Sequence, residues 1–171
     1  MITFKDVLSN SNKLQLLIVA NSFFACKFAA MGFKKVTLDQ INNINKNTLM
    51  EHMGILITEI GEDFLRATMP VDVRTQQPLG LLHGGASVAL IESLGSIGSS
   101  LLVDMDKEFP VGLEVNANHI GAAKSGLVEA VATIIHAGRS THVWSVEVRT
   151  LDTQKLVCTG RLTMMVVQKK S

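Results

Sequence analysis

Residues 83–103 read HGGASVALIESLGSIGSSLLV, and this segment gives the strongest indication of the fold. Its larger apolar residues recur at the spacing of one helix face, i, i+4, i+7 and i+11, as Leu90, Leu94, Ile97 and Leu101. The pattern predicts a long helix over residues 84–103. A second face of this helix is predicted to be small and polar, with Val88, Glu92, Gly95, Ser96 and Ser99. The rest of the chain must then cover the apolar ridge.

The only ionisable residue between His83 and Asp104 is Glu92. A carboxylate inside so apolar a helix costs free energy unless a cation pairs with it or a function uses it. Removal from water raises the pKa of a carboxylic acid and makes its carboxylate more basic, which suits a general base or a nucleophile. Because no cation near it in the sequence could pair with it, we interpret Glu92 as a candidate catalytic residue.

The predicted helix begins with two glycines, Gly84 and Gly85, directly after His83. The first N–H groups of a helix have no acceptor within it, and the helix dipole adds positive potential there. This end could therefore hold a developing oxyanion, about two turns from Glu92. The two glycines are also explained by a tight helix start, and His83 on its own by an ordinary loop position. The structural and the oxyanion-binding interpretations of this segment therefore both stay open at this point.

Length and composition indicate one domain that is neither a nucleic-acid-binding nor a disulfide-rich protein. The 171 residues are enough to bury a core, 47% of them are apolar, and the formal net charge is +1. Cys26 and Cys158 have no CxxC spacing, and the five histidines form no metal-binding motif. We therefore expect free thiols, no cofactor and no metal, although spacing does not test a metal site assembled from distant residues.

Residues 1–30 differ in composition from the rest of the chain. Residues 14–30 are apolar, follow two lysines and end in small residues, a pattern similar to a secretory signal peptide. The segment is short for a membrane-spanning helix and contains Lys27. We interpret it as an N-terminal extension, or as the result of a start codon assigned too early, and predict that the domain comprises residues 31–171. A cytoplasmic protein is expected; a membrane-facing or exported form is the alternative.

Segments rich in β-branched residues surround the long helix. Before it, the sequence predicts a short helix from Thr37 to Leu49, a hairpin over residues 54–60 and 64–71, and a loop over residues 73–82. After it come four predicted strands, residues 111–119, 127–137, 142–151 and 155–167. The third has one face formed by His142, Trp144, Val146 and Val148. The predicted class is α+β, with a long central helix covered by a largely antiparallel sheet.

Five motifs, in order and at matching spacing, resemble those of the hotdog-fold acyl-CoA thioesterases. They are MPVD at residues 69–72, RTQQPLGLLHGG at 74–85, ESLGS at 92–96, VGLEVNANH at 111–119 and GRSTHVW at 138–144. The resemblance is strongest to the branch that contains the 4-hydroxybenzoyl-CoA thioesterases of the Arthrobacter type and the 1,4-dihydroxy-2-naphthoyl-CoA hydrolases. It implies a hotdog fold, in which a curved antiparallel sheet wraps the central helix, and hydrolysis of an acyl-CoA thioester, with an aryl acyl group expected.

The resemblance also implies roles for individual residues. Glu92 is the catalytic carboxylate, as nucleophile or as base on water, and the Gly84 amide polarises the thioester carbonyl. Gln77 and His83 of one subunit position the substrate against the helix of its partner. Ser96, one turn past Glu92, contacts the substrate or the attacking water. His119 lines the acyl or pantetheine side of the pocket.

The coenzyme A phosphates are assigned by the same resemblance to the predicted turn between the second and third strands after the helix. Gly138, Arg139 and Ser140 would hold them with backbone amides and the guanidinium. The chain departs from the pattern at residues 121–122, where it has Gly-Ala and relatives often have Arg-Pro. Lys124 is the candidate substitute for the missing cation.

The implied partners are an acyl-CoA or an acyl-carrier-protein thioester and further copies of the chain, as a dimer or a dimer of dimers. No nucleic acid is expected, and no membrane unless the N-terminal segment is retained. Two other functions on this fold stay open: hydration of enoyl or dehydration of 3-hydroxyacyl thioesters, and non-catalytic acyl-CoA sensing. Gln77 before the LHGG motif favours hydrolysis, and residues 1–50 lack the basic helix-turn-helix of a sensor. A purely structural protein would leave Glu92 unexplained.

Overall fold

A computed structural model describes residues 32–170 of the chain. Two short helices come first, α1 (Leu38–Ile44) and α2 (Leu49–Met53), followed by the hairpin of β1 (Leu56–Ile60) and β2 (Phe64–Pro70). The long helix α3 (Gly84–Leu102) comes next. The last four elements are β3 (Glu108–His119), β4 (Leu127–Ala137), β5 (Thr141–Thr150) and β6 (Leu156–Gln168). The predictions made for residues 1–30 and for the boundary at residue 31 lie outside the described residues.

The six strands form one antiparallel sheet in the order β1-β2-β4-β5-β6-β3. Strands β1 and β3 are therefore its two edges. The α3 helix contacts β2, β3, β4, β5 and β6, which confirms the predicted central helix covered by an antiparallel sheet. It is long and apolar enough to cross a membrane, but 56% of its most apolar window is buried within the protein, as in the core helix of a globular domain.

The core between α3 and the sheet is centred on Trp144. His142, Trp144, Val146 and Val148 of β5 are all buried, so the predicted face of this strand is confirmed. Trp144 Nε1 donates a hydrogen bond of 2.9 Å to Ser99 Oγ on α3. The ring also lies over Gly98, where a Cβ atom would be 2.6 Å from Cζ2. A glycine at this position is what lets the indole approach the helix backbone so closely.

The face of α3 that packs on the sheet is rotated from the predicted ridge. Leu90, Leu94 and Leu101 are buried as expected, but Ile97 is only half-buried. Gly95 and Ser99, which the sequence placed beside Glu92, are buried instead. The physical reason is that the sheet approaches most closely over small side chains, so the buried arc is centred on these rather than on the leucines.

The larger differences from the predicted elements are in the first helix and in β3. The helix expected between Thr37 and Leu49 is two helices, because the backbone turns at Asn47, with φ 60°, and Thr48 caps a second start. Thr37 caps the first, in a capping box with Gln40. Strand β3 begins at Glu108, three residues before the predicted start at Val111. Pro110 did not end it, because an edge strand tolerates a residue without an N–H group.

We predict that Ser99→Ala lowers the free energy of unfolding by about 1–3 kcal/mol, because it leaves the buried Trp144 N–H without an acceptor. Ser100→Ala is the matched control. Its hydroxyl donates to the Ser96 carbonyl within the same helix, and its loss should change stability by less than about 0.5 kcal/mol. Urea-induced unfolding of the three proteins measures the difference. Equal effects of the two substitutions would contradict a role of the Trp144–Ser99 hydrogen bond in stability.

Candidate functional site

The residues that the sequence proposed for the site fall into two groups in the structure. One group surrounds the N-terminal end of α3: Gln77, His83, Gly84, His119 and Lys124. The other lies nearer the opposite end of the sheet: Glu92 and Ser96 on α3, and the β4–β5 turn formed by residues 138–140.

At the start of α3, His83 is the N-cap residue and its Nδ1 accepts a 2.8 Å hydrogen bond from the Gly85 N–H. Its backbone N–H donates to the carbonyl of the buried Thr75 at 2.8 Å. His83 therefore has a structural role at the helix start that the sequence did not indicate. The Gly84 N–H has no acceptor among residues 32–170, so it remains available to a ligand oxygen.

The imidazole of His119 lies directly against Gly84. A Cβ atom at Gly84 would be 2.8 Å from His119 Nε2, so any larger residue would displace the ring or the helix start. His119 is at the exposed end of β3, opposite Cys158 of β6. The structure thus brings together the predicted oxyanion donor and a histidine far away in the sequence.

Gln77 lies in a tight loop next to this helix start. Its backbone N–H donates to the Leu81 carbonyl and its carbonyl accepts from Gly80, at 2.8 and 2.9 Å. Its side-chain Oε1 accepts from the Leu79 N–H. The amide is therefore oriented with the oxygen toward its own loop, and both Nε2 hydrogens are left to donate to a substrate.

Lys124 is tied to the same loop rather than to the predicted phosphate turn. Gln76 Nε2 donates to the Lys124 carbonyl at 2.9 Å, and the Lys124 side chain is exposed. The turn at residues 138–140 lies at the other end of β5, about 30 Å away along a strand of this length. Within one chain, Lys124 and Arg139 cannot hold the same phosphate group.

The turn between β4 and β5 also has fewer free donors than the sequence suggested. The Gly138 N–H donates to the Thr141 carbonyl at 2.8 Å and is not available for a phosphate oxygen. The Ser140 carbonyl accepts from Val166 at 2.9 Å. The Arg139 side chain is exposed and forms no ion pair within residues 32–170, so the guanidinium is the group that an anion could use.

Glu92 is half-buried in the middle of α3, and burial raises the pKa of its carboxyl group. A hydrogen bond from Ser96, one turn further along, lowers the pKa by less. In the structure the Ser96 hydroxyl donates to Met164 Sδ at 3.8 Å. Sulfur is a weak acceptor, so this hydroxyl can turn its proton to the Glu92 carboxylate when the carboxylate is ionised. Among the described carboxylates with a shifted pKa, Glu92 is the one whose pKa rises; those of Asp72, Asp104 and Asp152 fall.

The sequence did not identify Gly112 as part of this site. A Cβ atom at this position of β3 would collide with Glu92 Oε1 and lie 3.1 Å from Cδ. The strand register shifts between Gly112 and Glu114, next to this contact. A glycine inside a strand often marks such a close approach, and this was the one available signal.

A cavity of about 420 Å³ adjoins Glu92, between α3 and the α1–α2 segment. The α3 side is formed by Glu92, Ser93, Ser96, Ile97, Ser100 and Leu101. The other side was not predicted, and is formed by Ile41, Ile44, Asn45, Thr48, Leu49 and Met50. Among the lining residues that the structure describes, Glu92 is the only ionisable one. The arrangement is an apolar pocket with one basic carboxylate and several hydroxyl groups, suited to an uncharged organic group that carries a reactive carbonyl.

Comparison with known proteins identifies the family of this chain. The model of the thioesterase superfamily matches residues 79–157, a range that contains all the proposed site residues except Gln77. The 1,4-dihydroxy-2-naphthoyl-CoA hydrolase of Escherichia coli K12 is 42% identical over 134 residues, which are 78% of this chain and 97% of that protein.

Two solved structures show the same fold. A mutant thioesterase from Pseudomonas aeruginosa has a TM-score of 0.78 and 48% identity, and the match covers 81% of this chain and 99% of that one. A thioesterase from Haemophilus influenzae has a TM-score of 0.77 and 46% identity, covering 81% and 95%. The resemblance that the motifs indicated is thereby confirmed: the chain is a hotdog-fold enzyme that belongs to the thioesterase superfamily.

Proposed function

We propose that the protein hydrolyses acyl-CoA thioesters with Glu92 as the catalytic carboxylate. The observation that supports this most directly is a half-buried carboxylate with a raised pKa on the wall of an apolar cavity, with no cationic partner among residues 32–170. The E. coli relative is named for an aryl-CoA substrate, and we extend an aryl-type acyl group, such as hydroxynaphthoyl or hydroxybenzoyl, to this chain as part of the proposal.

In the proposed reaction, the thioester carbonyl oxygen accepts a hydrogen bond from the Gly84 N–H, and Gln77 Nε2 helps to orient the substrate. In one route Glu92 removes a proton from the water that attacks the carbonyl carbon, and the tetrahedral intermediate expels the coenzyme A thiolate, which takes up that proton and leaves the free acid. In the other route Glu92 attacks the carbonyl carbon itself and the coenzyme A thiolate leaves, which gives an anhydride that water then hydrolyses to the free acid and the Glu92 carboxylate. Both routes require the ionised carboxylate and donors already oriented toward the developing oxyanion.

One chain alone cannot supply both groups to one carbonyl. Gly84 and Glu92 are eight residues apart on α3, about 12 Å along the helix axis. A reacting carbonyl must lie about 3 Å from both the donor and the carboxylate. We therefore propose that each site combines Glu92 of one subunit with Gly84 and Gln77 of the partner subunit.

The free edge of β3 offers the geometry for this combination. Gly112 touches Glu92 near one end of the strand, and His119 touches Gly84 at the other. In the proposed dimer, β3 pairs antiparallel with β3 of a second copy, with Asn116 opposite Asn116. When the extra residue at the register shift between Gly112 and Glu114 is allowed for, this pairing places His119 opposite Gly112 of the partner subunit. The two halves of the site would then lie side by side, twice in each dimer.

We predict that Glu92→Gln reduces kcat at least about 100-fold, since the amide retains the volume but not the basicity of the carboxylate. Dissociation constants for a non-hydrolysable acyl-CoA analogue should change little. Glu62→Gln, in the exposed β1–β2 turn, is the matched control and should have the wild-type rate. Steady-state hydrolysis of benzoyl-CoA tests this. A Glu92→Gln enzyme that turns over at nearly the wild-type rate would falsify the assignment.

The pH dependence should report the raised pKa of Glu92. Since the ionised carboxylate is the active form, kcat/KM should rise with pH through this pKa, at a higher pH than an ordinary glutamate would give. Ser96→Ala removes the hydrogen bond that lowers the pKa, so the acid limb should move to still higher pH; Ser96→Thr retains a hydroxyl and should leave it near the wild-type position. Ser145→Ala, at an exposed position of β5, is the control. An acid limb that moves to lower pH in Ser96→Ala would contradict the proposed contact.

Mixed dimers test the shared site. When Glu92→Ala and Gln77→Ala proteins are partially unfolded together and reassembled, half of the dimers should be mixed, and each mixed dimer should contain one intact site. Activity should then recover to about a quarter of the wild-type value. Each variant reassembled alone is the control. If mixed dimers are verified by mass spectrometry and show no recovery, each chain carries a complete site.

A further inference from the structure

The side chain of Asn42 pairs with the backbone of β1 as a neighbouring strand would. Its Nδ2 donates to the Ile57 carbonyl, and its Oδ1 accepts from the Ile57 N–H, both at 2.9 Å. Ile57 is 1% exposed, at the point where the register of β1 shifts. One amide on α1 thus satisfies both outward-facing backbone groups of a residue at the sheet edge.

These two hydrogen bonds fix the position of α1 on the sheet. At seven residues, α1 is too short to be stable on its own and depends on tertiary contacts. It packs against β1, and among residues 32–170 Asn42 is the α1 residue whose side chain bonds to the sheet. The link to α2 has Asn47 in the left-handed region, with φ 60°. The location of α1 therefore depends strongly on Asn42.

The face of α1 next to Asn42 forms the wall of the cavity that faces Glu92. Ile41, directly before Asn42, is buried, and Ile44 and Asn45 follow on the cavity side. Ile97 of α3 lies across the cavity from them. The distance between these walls determines how large a group fits beside the carboxylate. On the α1 side, the buried Ile41 and the two hydrogen bonds of Asn42 to β1 hold the wall in place.

We propose that Asn42 is a positioning residue that sets the acyl-size selectivity of the enzyme by holding α1 at a fixed distance from Glu92. This inference rests on the proposed function, since it takes the cavity to receive the acyl group of the thioester. With α1 fixed, an acyl group that fills the cavity gains contacts that a smaller one lacks. With α1 released, the walls no longer distinguish the two.

Asn42→Ala is the direct test. Water can solvate the freed Ile57 groups at the sheet edge, so folding should be retained. Asn42→Asp retains the acceptor for the Ile57 N–H but loses the donor. Asn43→Ala is the matched control, because this exposed neighbour makes no side-chain hydrogen bond within the described residues. Hydrolysis of acetyl-, butyryl-, hexanoyl- and benzoyl-CoA is measured for each variant, together with thermal unfolding.

We expect the ratio of kcat/KM for the best substrate to kcat/KM for acetyl-CoA to fall at least about 5-fold in Asn42→Ala. A fitted apolar pocket distinguishes substrates of different size by about 10-fold or more, and the substitution should remove part of this discrimination. The change should come from KM of the larger substrates, with kcat for acetyl-CoA retained. Asn42→Asp should be intermediate and Asn43→Ala unchanged. If Asn42→Ala does not fold, Asn42→Asp decides alone.

A uniform loss of activity over the series, or an unchanged ratio, would overturn the proposal and leave Asn42 with a role in stability only. Failure of the proposed function would look different. In that case the wild-type enzyme would hydrolyse none of the four thioesters, or Glu92→Gln would hydrolyse them at the wild-type rate, whatever the behaviour of the Asn42 variants.

Discussion

The close packing of α3 on the sheet through small side chains determines where the other parts of the domain lie. Gly98 admits the Trp144 ring, and Ser99 satisfies its N–H group, so the sheet approaches the helix over this arc rather than over the leucines. The neighbouring arc, with Glu92 and Ser96, is only partly covered by the sheet, through Gly112 of β3 and Met164 of β6. The α1–α2 segment covers it only partly, and the remaining space is the cavity. The position of the candidate catalytic carboxylate is thus a consequence of core packing.

The ionisation of the carboxylates follows their surroundings in the same way. Asp72 pairs with Arg74, and its pKa is lowered. Glu92 has hydroxyl and apolar neighbours in place of a cation, and its pKa is raised. The pKa values of these two carboxyl groups shift in opposite directions, because desolvation dominates at Glu92 and pairing with a cation dominates at Asp72. A carboxylate with a raised pKa inside a cavity is more typical of a functional site than of a stabilising ion pair.

Much of the fold was predictable because its signals are local. The spacing of the leucines on α3, the alternation on β5 and the lone charge of Glu92 can all be read within one segment. The features that were missed arise between segments: Gly112 against Glu92, Asn42 on Ile57, and α1 as a cavity wall. Such contacts have no characteristic spacing in the chain. The sequence also does not show which N–H groups are already bonded within the protein. For that reason the family resemblance assigned the Gly138 N–H to a phosphate, although this group donates to the Thr141 carbonyl.

The contacts at β1 have a consequence for how far the sheet can grow. Asn42 occupies the outward groups of Ile57, and Met50 accepts from the N–H of Ile55, so the first part of this edge is closed to an incoming strand. The β3 edge has no such cover within residues 32–170. When two chains that each have one unpaired sheet edge pair through that edge, neither edge stays unpaired. The outer edges of the resulting sheet are then the two covered β1 edges. In the proposed dimer, addition would therefore stop after one step, and the strand-by-strand polymerisation to which a sheet with two open edges is liable would be prevented.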